Sequence, residues 1–138
     1  MKKILPLYLA VSLFLGACSK SSDDPTPVTP ISIQGTWVLT AGRTIVTPKN
    51  GAAVTTSDRA ITPGSIKVTF GANGSHQSYF NGVVQSTGTY LVSGTSLTVT
   101  TGSSLTSTIS ELTASRLVLT VNMEDNYSRY EYVDSFVR

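Results

Sequence analysis

From Ile31 onward the chain alternates apolar and polar residues with a period of two, in short runs separated by turn residues. Such alternation places successive side chains on opposite faces and is typical of half-buried β-strands. No window has both the period and the length of an amphipathic helix. The pattern predicts strands at 35–46, 66–70, 75–80, 87–92, 97–101, 105–112, 117–123 and 127–137. We therefore expect seven or eight antiparallel strands in an all-β domain spanning 31–138.

The connections between the predicted strands are mostly short, which favours a meander of neighbouring hairpins. Asn81-Gly82 is the strongest hairpin signal, because a type I′ turn needs positive φ at both positions and these residues tolerate it. A meander of this size leaves two exposed strand edges unless it closes. We predict an eight-stranded antiparallel up-and-down barrel. A two-sheet sandwich is the alternative, although sandwiches commonly use longer Greek-key connections.

One connection stands out by its length. Residues 47–64 contain Pro48, Asn50-Gly51 and Pro63 and show little period. Structureless loops of this length are usually functional or disordered. Two interpretations stay open: a lid at the mouth of the barrel, or a mobile excursion.

The first 17 residues have the features of an export signal. Lys2-Lys3 precede an apolar run at 4–15, which is too short to span a bilayer as a helix. The sequence Leu-Gly-Ala-Cys at 15–18 resembles the lipobox of bacterial lipoproteins. The resemblance implies cleavage between Ala17 and Cys18 and attachment of lipid to Cys18. The single Cys is then unavailable for a disulfide, so we expect packing alone to hold the fold.

Residues 18–30 are predicted to be a tether between the lipid and the domain. Three prolines in the stretch 25–30 favour an extended spacer with too few apolar side chains to fold. Asp23-Asp24 resembles the acidic signal of surface-exported lipoproteins, or is simply a pair of solvated acids. Ser19 directly after the Cys resembles the outer-membrane rather than the inner-membrane sorting signal. We expect an outer-membrane anchor with the domain facing the periplasm or the cell surface.

Charge excludes one class of partner. The chain has a formal net charge of +2, but Lys2 and Lys3 supply this excess, and the remaining basic and acidic side chains balance at eight each. The mature protein would therefore lack the basic surface of a nucleic-acid-binding protein. With 13% charged residues, its predicted strands carry mainly Ser and Thr on their polar positions.

The residues give little support for catalysis. His76 is the only histidine and lies near the turn at 73–74, where we expect an exposed strand end. Ser75 and His76 are adjacent, so a strand would point them to opposite faces and prevent a nucleophile–base pair. Glu124, Asp125 and Asn126 lie in one tight turn, which offers too few oxygens for a calcium loop. We predict no enzyme activity, no metal and no cofactor.

A family resemblance covers the predicted domain. It rests on Gly35-Thr36-Trp37 in the first strand, on the stretches 88–98, 109–113 and 117–120, and on Tyr130, Tyr132 and Arg138. These motifs, in this order, resemble the lipocalins and in particular the lipocalin-like lipoproteins of Bacteroidota. The resemblance implies an eight-stranded barrel whose Trp37 closes one end, beneath an arginine that is either Arg138 or Arg129.

The interior of such a barrel is either filled or holds one small ligand. The strands are short, so we expect a narrow or largely filled interior. Candidate inward residues are Phe70, Tyr79 or Phe80, Tyr90, Leu97, Leu119 and Tyr132. The leading hypothesis is a monomeric, membrane-anchored protein that binds a small apolar or amphipathic ligand. The alternative is a filled scaffold that binds glycan or protein through its loops or through the Tyr-rich strand at 127–132.

Overall fold

The computed structural model describes residues 31–138, so the predicted signal peptide, Cys18 and the tether lie outside the described part of the chain. The domain consists of nine β-strands. They are β1 (Gly35–Pro48), β2 (Thr55–Arg59), β3 (Ile66–Phe70), β4 (Ser75–Phe80), β5 (Val83–Ser93), β6 (Ser96–Thr100), β7 (Ser104–Leu112), β8 (Arg116–Glu124) and β9 (Ser128–Val137). Within residues 31–138 no helix could cross a membrane.

Eight of these strands form a closed antiparallel barrel, which confirms the predicted fold class. Strands β3 to β9 pair in chain order, and β1 closes the ring by pairing with β3 on one edge and β9 on the other. The hairpin at Asn81-Gly82 has φ values of 50° and 82° and connects paired residues Phe80 and Val83. Closure leaves the backbone groups of these strands paired around the ring.

The ninth strand, β2, shows that the prediction of a structureless connection at 47–64 was wrong. β1 continues to Pro48, and β2 folds back to pair antiparallel with Gly42–Val46. The same edge of β1 pairs with β3 only at its beginning, from Gly35 to Val38. β2 therefore extends the barrel wall rather than forming a lid. Its sequence, TTSDR, is polar and exposed throughout, so it carries no alternation that reveals a strand.

The hydrophobic core fills only one end of the barrel. Its buried members come from β1, β3, β6, β8 and β9 and from the segment before β1: Ile33, Trp37, Leu39, Phe70, Leu97, Leu117 and Phe136. Trp37 is fully buried, and its Nε1 donates a hydrogen bond to the carbonyl oxygen of Ile33 at 2.7 Å. The indole therefore closes this end of the barrel, because its apolar ring is buried in the core and its N–H has a hydrogen-bond acceptor.

Arg138 covers the outer side of this plug. Its Cζ lies 4.2 Å from the centroid of the Trp37 ring, within cation–π range. Its guanidinium also donates hydrogen bonds to the carbonyl oxygens of Ser32, at 2.9 Å, and Gln34. Arg129, the other arginine considered for this place, forms an ion pair with Glu124 in the β8–β9 hairpin.

Gly35 makes the close approach of Arg138 possible. Its φ of +125° is a conformation that side chains with a Cβ rarely adopt, and a Cβ here would lie 3.3 Å from Arg138 Nε. Gly35, Trp37 and Arg138 thus lie together at the closed end of the barrel.

Candidate functional site

Beyond the core, the barrel contains a cavity of 580 Å³. Its wall comes from β3 to β9 and from the β6–β7 turn. Representative wall residues are Val68, Leu97, Leu119, Val121 and Tyr132. The register agrees with this placement, because Tyr132 is opposite Val121 and Val99 is opposite Leu105. A volume of this size lies within the range of small-molecule sites, about 300–1,000 Å³.

A second lobe of 530 Å³ adjoins the first at Val68, Asp134 and Phe136, which line both. It lies beside the connection between β2 and β3, and Ala60 to Thr62 form part of its wall. This is where the edge of β1 passes from β3 to β2. The expectation of a narrow or largely filled interior therefore holds only for the end occupied by the core.

An ion pair lies where the two lobes meet. Arg59, at the end of β2, donates a hydrogen bond from Nη2 to Asp134 Oδ1 on β9 at 2.7 Å. Burial raises the pKa of Asp134 above its usual value, and the nearby Arg59 opposes this shift only in part. The free-energy cost of desolvating the Asp134 carboxylate therefore exceeds the stabilisation that Arg59 provides.

His76 is buried in the barrel wall, so the expectation of an exposed strand end was wrong. The residue is only 7% exposed, and its ring lies 5.4 Å from the ring of Phe70, centroid to centroid. It pairs with Phe70 in the β3–β4 ladder and therefore shares its inward face. Nδ1 is buried and, within residues 31–138, has no hydrogen-bond partner. Burial lowers the pKa of His76 and favours the neutral imidazole.

We expect His76 to make the protein less stable as the pH falls below neutral. Since its pKa is lower in the folded than in the unfolded state, its contribution is complete above the unfolded pKa of about 6.5. It is lost as the pH falls through that value toward the folded pKa, by at most about 1.4 kcal/mol per pH unit. Urea denaturation between about pH 7.5 and 5.5 measures this slope. The slope should be smaller in His76→Gln, and an equal slope in both proteins would contradict this assignment.

Tyr132 of β9 lines the cavity, and Tyr130 lies two residues earlier on the same strand, beyond the residues that line it. The rings of Tyr130 and Tyr132 are stacked, with centroids 6.3 Å apart and planes 10° apart. Tyr130 donates its hydroxyl to Asp125 Oδ2 at 3.0 Å, which fixes the ring toward the β8–β9 hairpin. Tyr127, by contrast, is 79% exposed. Tyr132 is therefore not part of an outer recognition face, and Tyr130 is stacked against it.

The residues expected in the interior have different positions. Phe70, Leu97, Leu119 and Tyr132 line the cavity. Tyr90 lies nearer the closed end, where its ring meets Phe70 edge-on and its hydroxyl donates to the carbonyl oxygen of Gly71 at 2.9 Å.

Of the alternatives Tyr79 and Phe80, Phe80 lines the second lobe and Tyr79 lines neither lobe. Tyr79 lies on the face of β4 opposite to His76 and Ser78, and its hydroxyl donates to Gln77 Oε1 at 2.6 Å. Sequence reasoning also missed Arg59, His76 and Asp134. Asp134 had a signal, because it shares the parity of Tyr132 and Phe136 on one strand.

The acidic turn at 124–126 uses its carboxylates for structure. Asp125 Oδ1 accepts hydrogen bonds from the backbone N–H groups of Tyr127 and Ser128, both at 2.7 Å, and these lower the pKa of Asp125. Glu124 forms ion pairs with Lys49, at 2.7 Å, and Arg129. No group of three or more His, Cys, Asp or Glu residues within 31–138 is arranged to hold a metal ion.

Comparison with protein families gives a match to the domain. A family model described as a lipocalin-like domain matches residues 33–119, which is more than half of the chain. The matched range begins at the plug around Trp37 and ends at the cavity residue Leu119. No curated protein matches the chain.

Proposed function

Because the chain belongs to the lipocalin-like domain family, we propose that it binds a small apolar or amphipathic molecule inside its barrel and catalyses no reaction. The cavity of 580 Å³ beyond the core is the observation that carries this proposal. A filled barrel would have no room for a ligand, whereas this wall presents both apolar and polar side chains to a cavity that opens to solvent. That combination is typical of small-molecule sites.

We further propose that the protein is anchored in the outer membrane through lipid on Cys18. The lipobox-like sequence at 15–18 supports the anchor, and Ser19 supports the outer membrane. The domain begins at the closed end of the barrel, where Ser32 and Ile33 contact the plug. An extended tether at about 3.1 Å per residue would hold this end some 35–40 Å from the lipid. On this arrangement the cavity opens at the end of the domain opposite the tether.

Blocking the cavity tests the proposed binding. Val121 lies on the inner face of β8 and lines the cavity, whereas its neighbour Asn122 is exposed on the outer face. We expect the neutral fluorescent probe N-phenyl-1-naphthylamine to bind the full-length protein. Val121→Trp should weaken binding by about tenfold or more, since the indole fills space that the probe needs.

Asn122→Trp is the matched control and should bind the probe like the unmodified protein. Circular dichroism of each variant checks that the barrel is intact. The proposed function fails if the unmodified protein does not bind the probe, or if the two variants have equal affinity.

An uncharged surface favours a second candidate function, that of an interaction module. No Lys, Arg, Asp or Glu occurs from Val68 to Ser110, a range that contains β4 to β6 and most of β7. Its outer face exposes Leu91 and Val84 among hydroxyl side chains. Covering such a surface desolvates no charge. This candidate predicts that both tryptophan variants retain full function, because neither position lies in that range.

A further inference from the structure

Within residues 31–138 the walls of the two lobes carry one carboxylate, on Asp134, and one half-exposed guanidinium, on Arg59, and we propose that this pair selects an uncharged, hydroxyl-bearing amphiphile over a fatty carboxylate or a fatty amine. The inference rests on the proposed function, since it names the class of ligand that the same cavity would hold. Its evidence is separate, and consists of the placement of Arg59 and Asp134.

The pair is placed where the polar head of a ligand would meet the wall. Asp134 lines both lobes of the interior, and Arg59 lines the lobe beside the β2–β3 connection. The first lobe provides apolar surface beside Asp134, formed by Leu119, Val121 and Phe136. An acyl chain that lies in the first lobe would therefore place its head group at the ion pair.

The guanidinium of Arg59 can lie close to β1 because Gly42 has no side chain. A Cβ on Gly42 would lie only 2.7 Å from Arg59 Nη2 and 2.8 Å from Nε. Arg59 and Gly42 are direct partners in the β1–β2 ladder, so the guanidinium lies against the β1 backbone. Gly42 in turn pairs with Asp134 across the β1–β9 ladder. The three residues form one row across β2, β1 and β9, which fixes the two charges next to each other.

The pair retains hydrogen-bonding capacity for a ligand. Within residues 31–138 the structure joins the two groups by one hydrogen bond, between Nη2 and Oδ1. A carboxylate can accept several hydrogen bonds, and a guanidinium has five N–H donors. A hydroxyl both donates and accepts, so it can donate to Asp134 and accept from Arg59 at the same time.

Charged head groups lack this match. An ionised carboxylate on the ligand would be attracted by Arg59 but repelled by Asp134, whose pKa is already raised by burial. An ammonium group on the ligand would be attracted by Asp134 but repelled by Arg59. Like charges that are brought together in a partly desolvated site repel more strongly than in water. In the described residues no further charged side chain lines either lobe to offset this repulsion, and Ser78, Ser86 and Ser107 supply additional hydroxyls.

A matched set of ligands tests the inference on the full-length protein. Monolauroylglycerol, laurate and dodecylammonium have similar chains and differ in the head group, and each is titrated below its micellar concentration against bound N-phenyl-1-naphthylamine. We expect monolauroylglycerol to displace the probe at about tenfold lower concentration than either charged ligand. Asp134→Asn should raise the relative affinity for laurate, and Arg59→Gln should raise that for dodecylammonium.

The exposed pair Arg43–Asp58 provides the control. Arg43 Nε lies 2.8 Å from Asp58 Oδ1. Arg43 directly follows Gly42 and Asp58 directly precedes Arg59, so both side chains lie on the opposite face of the sheet. Arg43→Gln should leave the order of the three ligands unchanged. Equal displacement by all three ligands, or preference for laurate, overturns the selection by the pair while leaving the proposed binding intact. If the probe itself does not bind, the proposed function fails and this inference fails with it.

Discussion

Trp37→Ala is expected to lower the free energy of unfolding by about 3–5 kcal/mol, the usual cost of removing a large aromatic side chain from a core. Trp37 is fully buried among Ile33, Leu39 and the other core residues. The substitution leaves a void at the closed end, leaves the carbonyl oxygen of Ile33 without the indole N–H, and removes the ring beneath Arg138. The chain has no disulfide to compensate, because Cys18 is its only Cys.

Urea denaturation followed by circular dichroism measures this effect, since Trp37 is the only tryptophan and its fluorescence is lost with the substitution. Tyr127→Ala is the matched aromatic control. Tyr127 is 79% exposed, so its removal should change stability by no more than about 0.5 kcal/mol. A loss below about 1 kcal/mol for Trp37→Ala would show that the indole does not hold the closed end together.

Cys18→Ser is expected to abolish lipid attachment, because the proposed linkage to diacylglycerol is a thioether that requires the thiol. Cells that express the protein are grown with a radiolabelled fatty acid, and the protein is recovered and examined for label. The unmodified protein should carry label, and Cys18→Ser should carry none. The expected loss is complete, since the chain contains no other thiol. Stable attachment to a membrane needs two or more acyl chains or an equivalent second signal.

Ser19→Ala provides the control at the neighbouring residue and should remain labelled. Label on Cys18→Ser, or its absence from the unmodified protein, would refute the proposed anchor. Neither result would alter the account of the barrel, whose evidence lies entirely within residues 31–138.

The barrel could be predicted from the sequence because most of its strands bury one face. The period-two alternation of Ile66, Val68 and Phe70 indicates a strand with one buried face, and Asn81-Gly82 indicates a turn. β2 could not be predicted in this way. All five of its residues are exposed, and it is held by backbone pairing with β1, which leaves no trace in hydrophobicity.

The interior was harder to predict because bulges change the parity of a strand. β1 shifts register between Leu39 and Ala41, so Leu39 before the bulge and Gly42 after it share the inner face. The β4–β5 pairing shifts between Ser78 and Tyr79. Once such a shift occurs, counting alternate residues no longer gives the inner face.

The polar residues of the site were missed for a different reason. Arg59 and His76 lie within or next to polar, turn-like sequence, where an exposed position is the ordinary expectation. Only the closed ring shows that Arg59 faces Asp134, because these two residues are distant in sequence and a local pattern does not contain their contact. His76 and Phe70 are direct partners within the β3–β4 hairpin, and their contact follows from the register of that hairpin.

A methyl-resolved NMR titration with monolauroylglycerol tests the binding of a ligand inside the barrel most directly. Leu97, Leu119 and Val121 line the cavity, whereas Leu91 is exposed on the outer face. Our account predicts saturable shifts of the Leu97, Leu119 and Val121 methyl signals, with the Leu91 signals unmoved. Shifts confined to Leu91 and other outer residues, or no saturable shift at any of them, would contradict it.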